Sequence, residues 1–342
     1  MKHRKDRFYW PNFTLQDLPF LKQMEDRPGM SPSFALLCYR NRDTPMQYKN
    51  QHTVPQSYLS VWCDHETQTP YVWVWTKDGN SARRKAPLNI FRETGIYTLK
   101  LPDGSRDVTL EQMFSKMEQE FAALRGDKLE RRVALSRVEW ANLVTFVAAL
   151  HVRSAAQLRH LQSERNRVVK LAERIAEQAT RATAEQRKAM AMLARPPSTP
   201  SWSLEEFRAL AAEPQRTLRD YILAETAVML RMNLALFEAP AGYAFRTSDV
   251  PVTWFDPDLY KRPPAYQSLG LAYPNVEVRM SVSPRLILNI SHHTELGGRR
   301  FIATGQMVEE FNRVTRFECY EHFVTASNRK DDYWFFDLQP PT

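Results

Sequence analysis

The stretch Asp107-Val-Thr-Leu-Glu-Gln-Met-Phe-Ser-Lys-Met-Glu-Gln-Glu-Phe-Ala-Ala-Leu124 marks the point at which the chain changes character. Phe114, Met117, Phe121 and Leu124 recur at three- and four-residue intervals, which gathers them on one side of a 3.6-residue helix. Thr109 and Gln112 have the S/T-x-x-E/Q spacing of a capping box, and so do Ser136 with Glu139 and Ser203 with Glu206, so three helix starts are expected. After the second, Trp140, Leu143, Val144, Val147 and Leu150 predict a helix that also buries one stripe. From about Ala155 to Ala194, Leu161, Val168, Ile175 and Ala182 repeat every seven residues, with Leu171 and Ala179 on the same face. That repeat predicts one long helix packed against another. A loop is expected at Arg195-Pro-Pro-Ser-Thr-Pro-Ser201, then further helix from about Ser203 to Phe237, interrupted near Pro214.

The flanks read differently. Phe34 to Tyr39 is an apolar run short enough for a buried strand, and Tyr71-Val-Trp-Val-Trp75 has the aromatic and β-branched density of one, followed by a hairpin signal at Asp78-Gly79. Tyr243 to Phe245, Glu277 to Val282 and Leu286 to Ile290 are the later candidate strands, and Val308 to Tyr320 a late helix. This order of mixed, helical and mixed segments predicts an α+β fold. In it the N- and C-terminal strands share a sheet, and a central block of long helices occupies about residues 107–237. One domain over residues 34–338 is expected, after an N-terminal extension at 1–33.

A chain of 342 residues that is 43% hydrophobic can bury a sizeable core. Its three cysteines, Cys38, Cys63 and Cys319, are scattered without a C-x-x-C pair, which argues against a disulfide framework or a cysteine zinc site and suits a reducing cytoplasm. Met1 to Trp10 is basic but lacks an apolar h-region, and no apolar run approaches a membrane span, so neither export nor membrane association is expected. The net charge of +8 is concentrated: between Arg125 and Arg195 fifteen Lys or Arg face seven Asp or Glu, and the rest of the chain balances at 32 against 32. A localised basic surface recruits phosphate backbones or another acidic partner, and it also simply solubilises an exposed helix.

Two short motifs stand almost two hundred residues apart, His52-Thr-Val-Pro-Gln-Ser-Tyr-Leu59 and Phe245-Arg-Thr-Ser-Asp-Val-Pro-Val252. The first resembles the H-x-x-P-x-x-Y-L opening, and the second the T-S-D-x-P-V turn, of the bacterial and phage proteins grouped as domain of unknown function 4238. Tyr71 to Lys77 is similar to an early strand of that family, Phe146-Val-Ala-Ala-Leu-His-Val-Arg153 to its helix ending in arginine, and Ser281-Val-Ser-Pro284 to a strand end. The likeness extends in patches over roughly residues 50 to 330 and departs after Arg153, where Ser154-Ala155 replaces a threonine and a proline. The resemblance implies an architecture and carries no activity, cofactor or site residue with it.

The chemistry must therefore come from the residues. Ten glycines and neither G-x-x-x-x-G-K-[ST] nor G-x-G-x-x-G leave no cradle for nucleotide phosphates, so no nucleotide cofactor is expected. H-E-x-x-H and G-x-S-x-G are also absent. His292 and His293 are adjacent on a strand end and point apart, a poor start for a metal site. Pro55 and the spacing of Tyr58, Leu59 and Trp62 predict a short helix just beyond His52. Its amides would lower the imidazole pKa and equip His52 as a general base, unless the ring merely locks the turn. Asp249 either holds its own turn or serves as the carboxylate partner of His52, orienting it or binding a divalent metal, with Arg246, His322 and Asn312 as further polar candidates. Arg153 and His160 fall in the loose R-x4-6-H pattern of HEPN-family helical ribonucleases, which an arginine-rich helix also meets by chance. Arg167, Arg174, Arg181 and Lys188 recur every seven residues, and with Lys170 they form a basic stripe suited to tracking phosphates. The sequence thus points to a nucleic-acid-engaging protein, with a nuclease or defence effector built on His52 and Asp249 as its enzymatic form. The alternative is an interaction module that binds a protein partner or dimerises through the long helix.

Overall fold

A computed structural model describes residues 50–64, 69–101, 103–193 and 203–336. The strand expected at Phe34 to Tyr39, the loop at Arg195 to Ser201 and the extension at 1–33 lie outside the described residues. Both helices and sheets are present, so the fold is α+β. The first part carries β1 (Asn50–His52), α1 (Gln56–Leu59), β2 (Val72–Thr76), β3 (Ala82–Lys85), β4 (Arg92–Thr94), β5 (Leu99–Lys100) and β6 (Arg106–Asp107). The helices α2 (Thr109–Leu124), α3 (Arg137–Val152), α4 (Ala155–Arg181), α5 (Ala184–Leu193), α6 (Leu204–Ala212) and α7 (Leu218–Met229) follow. The last part contains β7 (Asn233–Glu238), β8 (Thr247–Ser248), β9 (Val252–Phe255), β10 (Glu277–Ser283), β11 (Leu286–Ser291), β12 (Arg299–Ile302), α8 (Gly305–Glu318) and β13 (His322–Thr325).

The larger sheet has the order β12-β7-β11-β10-β9, antiparallel except for the β12–β7 pair. All six residues of β11 are buried because both faces of the sheet are covered. Leu286, Leu288 and Ile290 join the main core with α1, α2 and α3, whereas Ile287 packs with Ala235, Phe237, Phe245 and the Val308 and Phe311 side chains of α8. The second sheet, β3-β2-β13-β8, pairs an early hairpin with strands from the far end of the chain. The hairpin turns at Gly79, whose φ of +71° is the left-handed region glycine tolerates.

Several helical expectations change on folding. α3 buries ten side chains on most of its circumference rather than one stripe, because α2, α7 and β9 pack around it. The capping boxes at Ser136 and Ser203 form. The one at Thr109 does not: Asp107 accepts the Thr109 amide at 2.8 Å and the helix starts at Thr109 itself. An unanticipated pair of the same kind, Thr183 with Gln186, starts α5, so the long helix breaks at the extended Ala182. The helical block ends at Met229, because the segment from Asn233, expected as helix as far as Phe237, is the strand β7 between β11 and β12. Tyr243 to Phe245 form no strand, and the Phe245 amide instead donates to the Pro284 carbonyl at 2.8 Å.

The α4 repeat is also redirected. Leu158, Leu161, Arg165 and Val169 form its buried line against α6, with Arg165 donating to the Leu210 and Pro214 carbonyls and to Thr217. Val168 and Ile175, expected in the seam, are about half exposed. A straight helix drifts by roughly 20° per heptad, so a strict seven-residue line starting at the buried Leu161 rotates away from the partner by Ile175.

Candidate functional site

The two motifs meet in the core. Pro55 precedes α1, which buries Tyr58 and Leu59. The Tyr58 hydroxyl donates to the Ser281 carbonyl at 2.7 Å and lies 2.8 Å from Thr247 Oγ1, and Trp62 Nε1 donates to the Phe245 carbonyl at 3.0 Å. A π-helical turn after α2 aims the Arg125 guanidinium at the Ser57 and Tyr58 carbonyls and closes α1 from the other side. The first motif therefore fastens the early segment onto β8 and β10.

His52 ends β1 rather than capping a helix. Its Nε2 lies 3.2 Å from the Leu88 carbonyl, the Gln56 amide stands 3.3 Å away, and its own carbonyl accepts from Arg153. The imidazole pKa is lowered from its ordinary value of 6.5, and the leading cause is burial rather than helix amides, with the Leu88 carbonyl opposing. A folded-state pKa below the unfolded one gives stability that is present above the unfolded value and lost as pH falls through the folded value. Chemical denaturation of wild type and His52→Gln should show that acid-side loss, below about pH 6.5, only in wild type; parallel profiles would refute it.

Asp249 is a staple. Its carboxylate accepts the backbone amides of Tyr320 at 2.8 Å, Glu321 at 2.7 Å and His322 at 2.8 Å, which fixes the turn between α8 and β13. Burial raises its pKa against the pull of these amides, and the nearest ring nitrogen, His322 Nδ1, is 4.0 Å away. No hydrogen bond or ion pair joins His52 to Asp249. Beside His52, Thr53 donates to the Phe91 carbonyl from its amide at 2.7 Å and its hydroxyl at 3.0 Å, and Phe91, at φ +51°, places its ring 6.4 Å from that of His322. Arg246 and Asn312 lie elsewhere, the arginine buried over Trp334 with its amide on Asn312 Oδ1.

The solvent side of α4 is different in kind. An open depression of about 710 Å³ along the helix surface is lined by Arg159, Arg167, Lys170 and Arg174, with Gln162, Ser163, Asn166 and Leu171 among them, all of them side chains of α4 itself. At 100° per residue, Arg167, Lys170, Arg174 and Arg181 share an arc of about 60° opposite the buried Arg165. Arg181 pairs with Glu177 at 2.6 Å and Arg167 approaches Glu164 at 3.9 Å, whereas Lys170 and Arg174 have no ion pair among the described residues. Lys188, expected to continue the stripe, falls on α5 beyond the break. Arg159, absent from the expected set, lies on the same arc as Lys170 and Arg174 to within about 60°, a relation the helical angle alone would reveal.

Other polar clusters serve the fold. Arg153 is 2% exposed and enclosed by Phe114, Tyr97 and Glu118 while His160 is on the surface, so the R-x6-H pair does not converge. His151 and Glu225 form an unanticipated pair at 2.9 Å beneath a stacked Trp254. Among the described residues no group of three or more His, Cys, Asp or Glu side chains could hold a metal ion, and no helix is long and apolar enough to cross a membrane.

Comparison with known proteins gives one family. The model described as protein of unknown function, DUF4238, matches residues 50–330, which spans both motifs and the whole of α4. No curated protein and no solved structure matches the chain.

Proposed function

The chain belongs to the DUF4238 family, whose description gives no activity, and from its own geometry we propose that it binds nucleic acid through the basic face of α4. One observation carries this reading: the open depression along that face is lined by four cationic side chains, two of them without an ion pair among the described residues, interleaved with the hydrogen-bonding Gln162, Ser163 and Asn166. Such a set suits phosphate oxygens, which take charge from Lys and Arg and hydrogen bonds from uncharged side chains. His52 and Asp249 do not enter the proposal as a catalytic pair, because their hydrogen-bonding capacity is directed at backbone groups and Gln56. Replacing Lys170 and Arg174 together by alanine should reduce the slope of log Kobs against log salt on a single strand by about 1.4, from roughly 0.7 per phosphate contact. Fluorescence anisotropy across a salt series checks this, and an unchanged slope would overturn the assignment of this face.

A second reading rests on Val168, Leu171 and Ile175, each about half exposed on the adjoining side of α4, which would suit a second copy of the chain. Sedimentation should then show a dimer that Val168→Glu with Ile175→Glu dissociates; a wild-type monomer at all concentrations removes this reading.

A further inference from the structure

We propose that the interface is built for a single strand, with Tyr320 as the platform on which one unpaired base stacks. The inference rests on the reading of the α4 face above. Arg159, at the start of that face, pairs with Glu93 at 3.0 Å, and its guanidinium lies 5.1 Å from the centre of the Tyr320 ring. With its charge offset by Glu93, Arg159 is a weaker phosphate ligand than Lys170 or Arg174; its other contact is with the Tyr320 ring. Arg159 and Arg174 are fifteen positions apart, about 22 Å along the helix. An aromatic surface thus stands at one end of a phosphate-binding track.

Tyr320 is placed for that work. It is 45% exposed although Arg159 lies over its ring, and its backbone is fixed because its amide donates to Asp249 Oδ1 at 2.8 Å. The hydrogen bonds of Glu321 and His322 to the same carboxylate hold the rest of the turn. A base in a duplex has both faces covered by its neighbours, whereas a base in a single strand can lay one face on a tyrosine ring. A positively charged track with one positioned aromatic ring therefore selects single-stranded RNA or DNA over a duplex, with little preference among bases.

The test uses the full chain and fluorescently labelled oligonucleotides of about 12 nucleotides, within the usual range of single-strand sites: oligo(dT), oligo(U), an abasic strand of equal length and a duplex. Wild type should bind the base-bearing strands about tenfold more tightly than the abasic strand. Tyr320→Ala should abolish that preference in whichever of the RNA and DNA arms shows it, while leaving abasic binding and its salt slope unchanged. Phe317→Ala removes another exposed ring, one that faces Lys77 instead of the basic track, and should leave the preference intact. Equal binding of base-bearing and abasic strands, tighter binding of duplex, or a preference that survives Tyr320→Ala would overturn the platform while phosphate binding through Lys170 and Arg174 stands. Failure to bind any strand would overturn the α4 reading itself, and the platform with it. Unaltered circular dichroism and melting of Tyr320→Ala would confirm that its effect is on binding.

Discussion

Arg153→Ala should destabilise the protein by about 3–5 kcal/mol, the range for removing one member of a buried charge pair. Arg153 caps the end of α3 and is 2% exposed. One arm of its guanidinium reaches Glu118 at 2.6 Å, and the other reaches the His52 carbonyl. The rings of Phe114 and Tyr97 lie 4.4 and 5.4 Å from it, and the Tyr97 hydroxyl returns to the Arg153 carbonyl at 2.7 Å. The Tyr97 amide in turn donates to Gln51 Oε1 at 2.7 Å, so a single side chain joins β1, the turn after β4, α2 and α3. Alanine would leave a cavity, an unsatisfied carbonyl and an unpaired Glu118. It would also remove the cation that opposes the burial-driven rise in the pKa of Glu111. Lysine keeps the charge but loses the planar fork that serves two acceptors at once, so Arg153→Lys should fall between the two. Denaturant melts of the three proteins decide this, and a loss below about 1 kcal/mol for alanine would show that the network is not a stability hub.

Asp249→Ala should cost about 2–3 kcal/mol, the scale of unsatisfied amides that were bonded to a charged acceptor. Three amides in succession lose their partner, and partial exposure of Tyr320 and Glu321 lets water replace some of what is lost. Asp249→Asn keeps one acceptor oxygen and should cost less. Burial raises the Asp249 pKa above its ordinary 3.8, and this fixes the direction of the pH dependence. The carboxyl contributes stability that is fully present below the unfolded value and is lost as pH rises through the raised folded value. The stability of wild type relative to Asp249→Asn should therefore be greater below about pH 4 than at pH 7. A relative stability that instead increases from acid to neutral pH would mean that the three amides outweigh burial.

The parts of the fold legible in the chain were those with local causes. Ser136 and Ser203 start helices because their hydroxyls and the glutamates three residues on satisfy free amides within one turn, and the same logic would have found Thr183 with Gln186. Tyr71 to Trp75 and Leu286 to Ile290 read as strands because branched and aromatic side chains suit a pleated surface. The Asn233-Leu-Ala-Leu-Phe-Glu238 segment carries no β-branched residue and follows a helix, so its own preferences favour helix. It becomes a strand because β11 and β12 offer it ladders on both sides.

The candidate site divides in the same way. The basic arc of α4 is a property of spacing, since side chains at three, four and seven positions apart share one face whatever packs on the other. What the spacing could not show is that Arg165 turns inward, that the helix ends at Arg181 and separates Lys188, and that Asp249 faces backbone amides rather than His52. Nor could it bring Tyr320 to Arg159 across more than 150 residues of chain. By itself the sequence determined where helices begin, where charge gathers and which residue types are present. Only the tertiary structure decided which polar groups meet, because those contacts join segments whose separation in the chain carries no information about their distance in space.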